Sequence, residues 1–280
     1  MSALPAITHP EKVLFPDDGI TKGELAAYYA AVAPLMLPHL RGRPVTLERF
    51  PSGIGRQGFI QKDVSKGFPA WLERVEVPHK DGPVHYVLAN DARALAWIAN
   101  QNTITLHVWA SRAPKLEHPD VCVIDLDPSH DDRAELREAM RLLRAVLVEA
   151  KHRSFVKTSG SKGYHVVVPL GPRATWKTCG TLAHEVAEEL LARGPTLLTH
   201  EFSKADRAGR IYVDIGRNRP GATFAAAYTV RPKPGAPVSA PCTWEEVESG
   251  VALPQTFTLR TMAARLEAVG DLWQDLGSDR

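Results

Sequence analysis

The chain has few of the features that mark secreted, disulfide-bonded or membrane-spanning proteins. Its three cysteines, Cys122, Cys179 and Cys242, are odd in number and widely spaced, with no C-x-x-C pair, so neither a disulfide framework nor a zinc site is expected. No basic segment followed by an apolar one begins the chain, and no run of about 18 apolar residues occurs. We therefore expect a cytoplasmic, nucleoid-associated protein without a membrane partner.

The sequence also has little net charge. Lys and Arg number 34 and Asp and Glu 32, for a formal charge of +2. With so small a net charge the surface is not expected to be uniformly basic, so any DNA-binding region must be a local basic patch. Hydrophobic residues make up 44% and charged residues 24% of 280 positions, which excludes wholesale disorder and allows a sizeable core.

Strand and helix signals alternate along the chain. Thr21 and Glu24 form a capping-box pattern, which predicts a helix from Thr21 that ends near Pro34 or Pro38. Further strands are predicted at residues 44–50, 59–62, 106–109, 121–127, 155–158, 164–170 and 211–215, and helices at 92–100, 176–193 and 259–273. Two strand pairs look hairpin-like, so we predict an α+β architecture of mixed sheets flanked by helices.

Two aspartates end the most apolar predicted strand. In the segment V-I-D-L-D-P, Asp125 and Asp127 are separated by one residue, so on a strand both carboxylates project from one face. Two like charges there are costly unless a cation compensates them, which favours a divalent metal site. The same spacing occurs at solvated strand ends, in many glycosyltransferases and in haloacid dehalogenase-like phosphatases, although Pro128 argues against the phosphatases. The following helix is expected to be capped by Ser129 or Asp131.

A second segment, K-T-S-G-S-K-G-Y-H at residues 157–165, joins two apolar strands through a turn of small residues. The turn offers backbone N–H groups, two hydroxyls and the ammonium group of Lys162, which suit a triphosphate. It is not a Walker A loop, because the spacing differs and a strand follows; an ordinary hairpin is the alternative. A third segment, R-I-Y-V-D-I, carries Asp214, which completes a triad with Asp125 and Asp127 of the kind that holds two metal ions in polymerases.

Several segments occur together in an order that is more specific than any one of them. They are H-P-E-K-V-L-F-P at 9–16, T-K-G-E-L-A-A-Y-Y at 21–29, R-P-V-T-L at 43–47, W-I-A-N-Q at 97–101, D-L-D-P at 125–128, T-S-G-S-K-G-Y-H at 158–165 and Y-T-V-R at 228–231. With these segments the chain resembles, over nearly its whole length, the polymerase domain of bacterial DNA ligase D and its stand-alone relatives in the archaeo-eukaryotic primase superfamily. The resemblance implies a primase-like catalytic core.

The resemblance also implies roles for matching positions in the catalytic core. Asp125, Asp127 and Asp214 match catalytic metal ligands. The residues that match a nucleotide-triphosphate cradle are His107, Ser159, Ser161, Lys162, His165 and Arg231.

Positions nearer the N-terminus match residues that hold DNA. Lys12 and Lys22 match lysines that grip a 5′-phosphate at a gap or broken end. Lys22 falls in the first turn of the predicted helix, where free N–H groups and the helix dipole would strengthen a phosphate site. Phe59 matches the first of two aromatic residues that stack on the template, but the second position is Ile60. The alternatives are solvated lysines and a core phenylalanine.

The function that the resemblance implies is DNA-dependent nucleotidyl transfer. It would fill gaps and extend ends in double-strand-break repair by non-homologous end joining, with two Mn²⁺ or Mg²⁺ ions, no organic cofactor, nucleoside triphosphates as substrates and a preference for ribonucleotides. We expect one primase-polymerase domain over 1–280, with DNA-end and template binding in 1–110, the catalytic core in 111–245 and a C-terminal helix in 246–280.

Ligation can be weighed from a separate motif. Adenylating ligases need the lysine of K-x-D-G, and the nearest match is H-K-D-G at residues 79–82, so we expect a separate DNA ligase and a Ku-type partner. A de novo primase and a non-catalytic DNA-end-binding module remain alternatives, although clustered carboxylates would not help a surface that only binds phosphate.

Overall fold

Six helices flank the sheets in the part of the chain that the computed structural model describes, residues 4–64 and 67–277. They are α1 (Lys22–Leu40), α2 (Ala92–Asn100), α3 (Arg133–Glu149), α4 (Trp176–Arg193), α5 (Trp244–Ser249) and α6 (Met262–Val269). None of these helices is both long and apolar enough to traverse a bilayer.

The strands of the same ranges are mostly short. They are β1 (Val13–Phe15), β2 (Ile20–Thr21), β3 (Pro44–Arg49), β4 (Phe59–Gln61), β5 (Arg74–Val77), β6 (Val84–Leu88), β7 (Thr103–Val108), β8 (Ser111–Arg112), β9 (Lys115–Pro119), β10 (Val121–Asp127), β11 (Phe155–Thr158), β12 (Tyr164–Pro169), β13 (Leu198–Thr199), β14 (Ile211–Asp214), β15 (Phe224–Ala225) and β16 (Pro241–Cys242).

Two larger sheets organise these strands. The first, here called the catalytic sheet, has the order β13-β14-β10-β12-β11-β16, with only the β13–β14 pair parallel. The second, here called the N-terminal sheet, has the order β15-β7-β3-β6-β5, with β4 paired to β3. Mixed sheets with flanking helices confirm the predicted α+β class.

The centre of the catalytic sheet is buried because its strands are almost continuously apolar. In β10 the residues from Val121 to Ile124 are at most 2% exposed, and α4 packs against this strand. A strand that is apolar on both faces suits a position covered on both sides. Buried side chains of both sheets belong to one hydrophobic core cluster.

The first helix is longer than predicted. Thr21 and Glu24 do form the capping box, but α1 continues through Pro34 and Pro38 to Leu40. A proline inside a helix removes one backbone hydrogen bond and strains the turn before it. The apolar face of α1 outweighs that cost, because residues such as Met36 and Leu40 are completely buried.

Two other helix predictions are wrong in detail. The cap of α3 is Asp132, whose Oδ1 accepts hydrogen bonds from the N–H groups of Ala134 and Glu135, whereas the Ser129 hydroxyl donates to the Arg210 carbonyl oxygen. The predicted helix at 259–273 is present only as α6, since residues 258–261 form a turn and Gly270, with φ of 65°, ends the helix. The short helix α5 was not predicted.

Candidate active site

The register of the catalytic sheet brings the three aspartates together. Asp125 is opposite His165 of β12 on one side and opposite Asp214 of β14 on the other. Directly opposed residues of antiparallel strands have side chains on the same face, so these three side chains share one face of the sheet. Asp127 lies two residues along the same strand and therefore faces the same way.

These side chains open into a cleft of about 270 Å³. The residues that line it are Asp125, Asp127, Ser159, Ser161, Lys162, Gly163, His165, Phe202, Arg207, Tyr212, Asp214, Arg217 and Arg231. The structure thus places in one cleft all three candidate metal ligands and five of the six residues of the predicted nucleotide cradle.

The turn between β11 and β12 is shaped by its own serine and glycines. The Ser159 hydroxyl accepts hydrogen bonds from the N–H groups of Ser161 and Gly163, at 3.1 Å each. Gly160 has φ of +64°, and a Cβ on it would lie 2.6 Å from the Cγ of Arg231. A Cβ on Gly163 would overlap the carbonyl oxygen of Leu126. Glycine at these two positions therefore lets the turn pack against both β10 and Arg231.

Two arginines neutralise the carboxylates. Arg217 Nη2 lies 2.9 Å from Asp214 Oδ2 and 3.9 Å from Asp125 Oδ2, and Arg207 Nη1 lies 3.1 Å from Asp127 Oδ2. Burial nevertheless raises the pKa of Asp125 to about 7; Arg217 opposes this rise, and the charges of Asp214 and Asp127 add to it. The site therefore lacks enough positive charge to keep Asp125 fully ionised at neutral pH.

The donor set fits a divalent metal ion of the magnesium or manganese type. Three carboxylates supply hard oxygen ligands. Burial, with a smaller effect from the charges of Asp214 and Asp127, raises the pKa of Asp125, and a bound cation would favour the ionised form of this carboxyl group. A separate group of metal-ligating types, His130, Asp132 and Glu135, lies at the start of α3. There Asp132 already caps the helix and His130 Nε2 lies 3.0 Å from Glu135 Oε2.

His107 belongs to the other sheet and does not line the cleft. Its Nε2 lies 3.0 Å from Glu48 Oε2 across the β3–β7 pair. Burial lowers the pKa of His107; Glu48 opposes that change, and the charges of Arg231 and Arg217 add to it. His107 is thus near enough to feel the cationic side of the cleft.

Lys12 and Lys22 lie near each other, just before and at the start of α1, and neither lines the cleft. Burial lowers the pKa of Lys22, and the charge of Lys12 adds to this effect. Lys22 is only 3% exposed, and its Nζ donates to the carbonyl and hydroxyl oxygens of Thr8. The expected free N–H groups are absent from this turn, because those of Lys22, Gly23 and Glu24 donate to Lys12, Pro10 and Thr21. Any phosphate here would be held by the lysine side chains.

Phe59 lies on the surface and not in the core. It is 46% exposed and Ile60 is 54% exposed, on the short strand β4. The guanidinium of Arg49 lies 5.3 Å from the centre of the Phe59 ring. The exposed ring is available for stacking, and its role remains a prediction.

Sequence reasoning missed several residues of the cleft. Arg217 follows Asp214 by three positions, and a basic residue so close to a candidate ligand was a usable signal. Arg207 is 80 positions from Asp127, and nothing local links the two. Phe202 is 81% exposed at the mouth of the cleft, with its ring 6.2 Å from that of Tyr212, and its isolated position gave no signal.

The catalytic sheet is antiparallel at its centre and carries three carboxylates beside a turn with the cationic side chains of Lys162 and Arg231. This arrangement is typical of nucleotidyltransferases of the polymerase class. Residues 21–273 match the family described as "LigD, primase-polymerase domain". The chain belongs to this family, and membership implies the use of a divalent metal ion. The predicted family and enzyme class are thereby confirmed.

Known relatives agree in sequence and in structure. The chain is 35% identical over 278 residues to the multifunctional non-homologous end joining protein LigD of Mycolicibacterium smegmatis, and 30% identical over 265 residues to the bifunctional LigD of Bacillus subtilis. These matches cover 98% and 94% of this chain but only 36% and 42% of the relatives, so the chain spans well under half of their length. The solved polymerase domain of Mycobacterium tuberculosis ligase D, in complex with DNA, superposes with a TM-score of 0.92 at 35% identity and 98% coverage of both chains.

Proposed function

We propose that this chain is a DNA-dependent polymerase that fills gaps and extends ends during double-strand-break repair by non-homologous end joining. The observation that carries the proposal is the row formed by His165, Asp125 and Asp214 across three adjacent strands, beside the turn with Lys162. The names of the relatives, which include end joining and a complex with DNA, support the same conclusion.

Asp125, Asp127 and Asp214 would hold two divalent ions, Mn²⁺ or Mg²⁺. Ions held there would supply a lowered pKa for the primer 3′-hydroxyl and positive charge for the departing pyrophosphate. The protein contributes a fixed geometry, since Asp125 and Asp214 are held by backbone pairing of β10 and β14. Arg207 and Arg217 balance the carboxylates in the absence of other cations and would have to share them when ions bind.

The triphosphate would lie against the turn between β11 and β12. Lys162 is exposed at this turn, and Arg231 donates from Nη1 to the Ser159 carbonyl oxygen at 3.2 Å, so two cationic side chains converge on it. Ser161 and His165 complete the cradle from the turn and from β12. Charge-assisted hydrogen bonds from such groups to phosphate oxygens are roughly twice as strong as neutral ones. His107 would approach the nucleotide from the N-terminal sheet.

The DNA would be held on the N-terminal part of the chain. Lys12 and Lys22 supply a local pair of positive charges for a 5′-phosphate at a gap or broken end, although the net charge of the chain is only +2. Phe59 offers an exposed ring to the template, and Ile60 offers an apolar surface without the face of an aromatic ring. We propose a cytoplasmic, nucleoid-associated setting with Ku and a DNA ligase as partners, and a preference for ribonucleotides.

Extension of a defined substrate tests this function. A duplex with a 5′-phosphorylated one-nucleotide gap, supplied with Mn²⁺ and either ribo- or deoxyribonucleotides, should be extended, and faster with ribonucleotides. Asp127→Ala should abolish extension, whereas Asp131→Ala, at an exposed position outside the cleft, should not. An unprimed single strand in parallel reactions separates gap filling from de novo priming. Products only from the unprimed strand would replace the gap-filling proposal with the primase alternative.

A further inference from the structure

Lys157 is a buried lysine directly behind His165, the histidine of the cleft. Its side chain is 0% exposed, and its position on β11 is opposite His165 on β12. Its Nζ lies 2.8 Å from His165 Nδ1 and 2.5 Å from Ser239 Oγ, so the partners that it contacts are a histidine and a serine and not a carboxylate. A buried amine without a close carboxylate is costly to charge, and burial lowers the pKa of Lys157 well below its ordinary value. Groups perturbed in this way are concentrated at functional sites.

The hydrogen bonds around Lys157 have defined directions. The Ser239 hydroxyl donates to the Thr158 carbonyl oxygen at 2.9 Å, and its oxygen therefore accepts from Lys157. On the other side, the imidazole Nε2 of His165 lies 3.5 Å from Asp125 Oδ2. The tautomer with hydrogen on Nε2 lets Nδ1 accept from Lys157 and turns an N–H towards the carboxylate. The opposite tautomer would set a nitrogen lone pair against a carboxylate oxygen.

We propose that Lys157 is a positioning residue for nucleotidyl transfer: it holds His165 in the tautomer that carries its hydrogen on Nε2 and so presents an N–H donor to the cleft. This inference rests on the proposed nucleotide-binding role of His165. The backbone pairing of β11 with β12 fixes the two residues side by side, so the donor direction is set before the nucleotide arrives. Second-layer groups that orient a functional histidine act in this way at metal sites.

Kinetics of Lys157→Met test the inference. The apolar side chain has similar length and removes a buried amine that is costly to charge, so the thermal midpoint should be equal to or above that of the unaltered protein. The value of kcat/KM for the nucleotide should fall about 10- to 100-fold, the range seen when such orienting groups are lost, with gapped-DNA affinity unchanged. Lys177→Met, at an exposed position on α4, is the matched control and should be without effect. Unchanged kinetics for Lys157→Met would overturn the inference.

A double variant and a spectroscopic signal separate positioning from general damage. If Lys157 acts through His165, the double variant Lys157→Met/His165→Ala should be no slower than His165→Ala alone, whereas multiplied losses would overturn the inference. Nitrogen-15 spectra should show His165 with its hydrogen on Nε2 in the unaltered protein and a changed tautomer ratio in Lys157→Met. Spectra that place the hydrogen of His165 on Nδ1 in the unaltered protein would also overturn the inference. Normal kinetics of His165→Ala would refute the proposed role of the histidine itself; impaired His165→Ala with normal Lys157→Met would refute only the lysine's role.

Discussion

Metal binding should depend on pH in a range where ordinary carboxylates do not titrate. The pKa of Asp125 is raised from 3.8 to about 7, chiefly by burial. A shift of about three units corresponds to roughly 4 kcal/mol at 1.36 kcal/mol per unit, which is the free energy by which the site disfavours the ionised form. A divalent ion needs that form as its ligand. Below pH 7 it must therefore compete with a proton.

The sign of the effect is defined by the raised pKa. The metal-free folded state binds the proton more tightly than the unfolded chain does, so stability decreases as pH rises from about 4 to about 7 and levels off above. For metal binding the direction is opposite: the apparent Kd for Mn²⁺ should rise about tenfold for each pH unit below 7. A carboxylate with an ordinary pKa would give a flat dependence down to about pH 5.

Electron paramagnetic resonance measures free Mn²⁺ during a titration and so gives the apparent Kd without enzyme turnover. The titrations should run from pH 5.5 to pH 8, bounds that lie about 1 unit or more either side of the pKa of Asp125. Arg217→Met should move the onset of weak binding to higher pH, because the Arg217 charge opposes the raised pKa of Asp125. Arg219→Met, at an exposed position two residues later, should leave the onset unchanged. A Kd that stays constant from pH 6 to 8 in the unaltered protein would refute the reasoning.

Three further outcomes are expected. Asp125→Ala should abolish primer extension but leave the affinity for gapped DNA, measured by fluorescence anisotropy, within about twofold, because phosphate contacts supply most of that affinity. Full activity of this variant would exclude Asp125 from the metal site. Lys12→Ala should reduce the tighter binding given by a downstream 5′-phosphate, a gain of roughly 1–2 kcal/mol, and equal affinities with and without phosphate in the unaltered protein would contradict this role. Gly163→Ala should lower the free energy of unfolding by about 1–3 kcal/mol or more, because the new Cβ would overlap the Leu126 carbonyl oxygen. Gly171→Ala is the control, since a Cβ there meets no atom within 4 Å. Equal thermal midpoints for the two variants would contradict the close packing at Gly163.

Local patterns in the sequence were sufficient for several elements. The strand β10 and the helices α2 and α4 have the predicted bounds, because alternating strand and helix periodicity, caps and terminal turns act within a few residues. The same local rule places the carboxylates of Asp125 and Asp127 on one face. Local rules were wrong where distant packing prevailed: α1 passes through Pro34 because its apolar face is buried, and the cap of α3 is Asp132.

The sequence by itself therefore determined the class of the fold and the shared face of two candidate ligands, Asp125 and Asp127, since both depend on neighbours along the chain. A third apolar segment supplied Asp214 as a candidate, the small-residue turn suggested a triphosphate site, and resemblance to a family added the remaining cradle residues, such as His107 and Arg231. Only the tertiary structure decided that Asp214 lies opposite Asp125, that Arg207 reaches Asp127 across 80 positions, and that Lys157 is sealed behind His165. The physical reason is that strand register and burial follow from the packing of the whole core, which no short window of sequence contains.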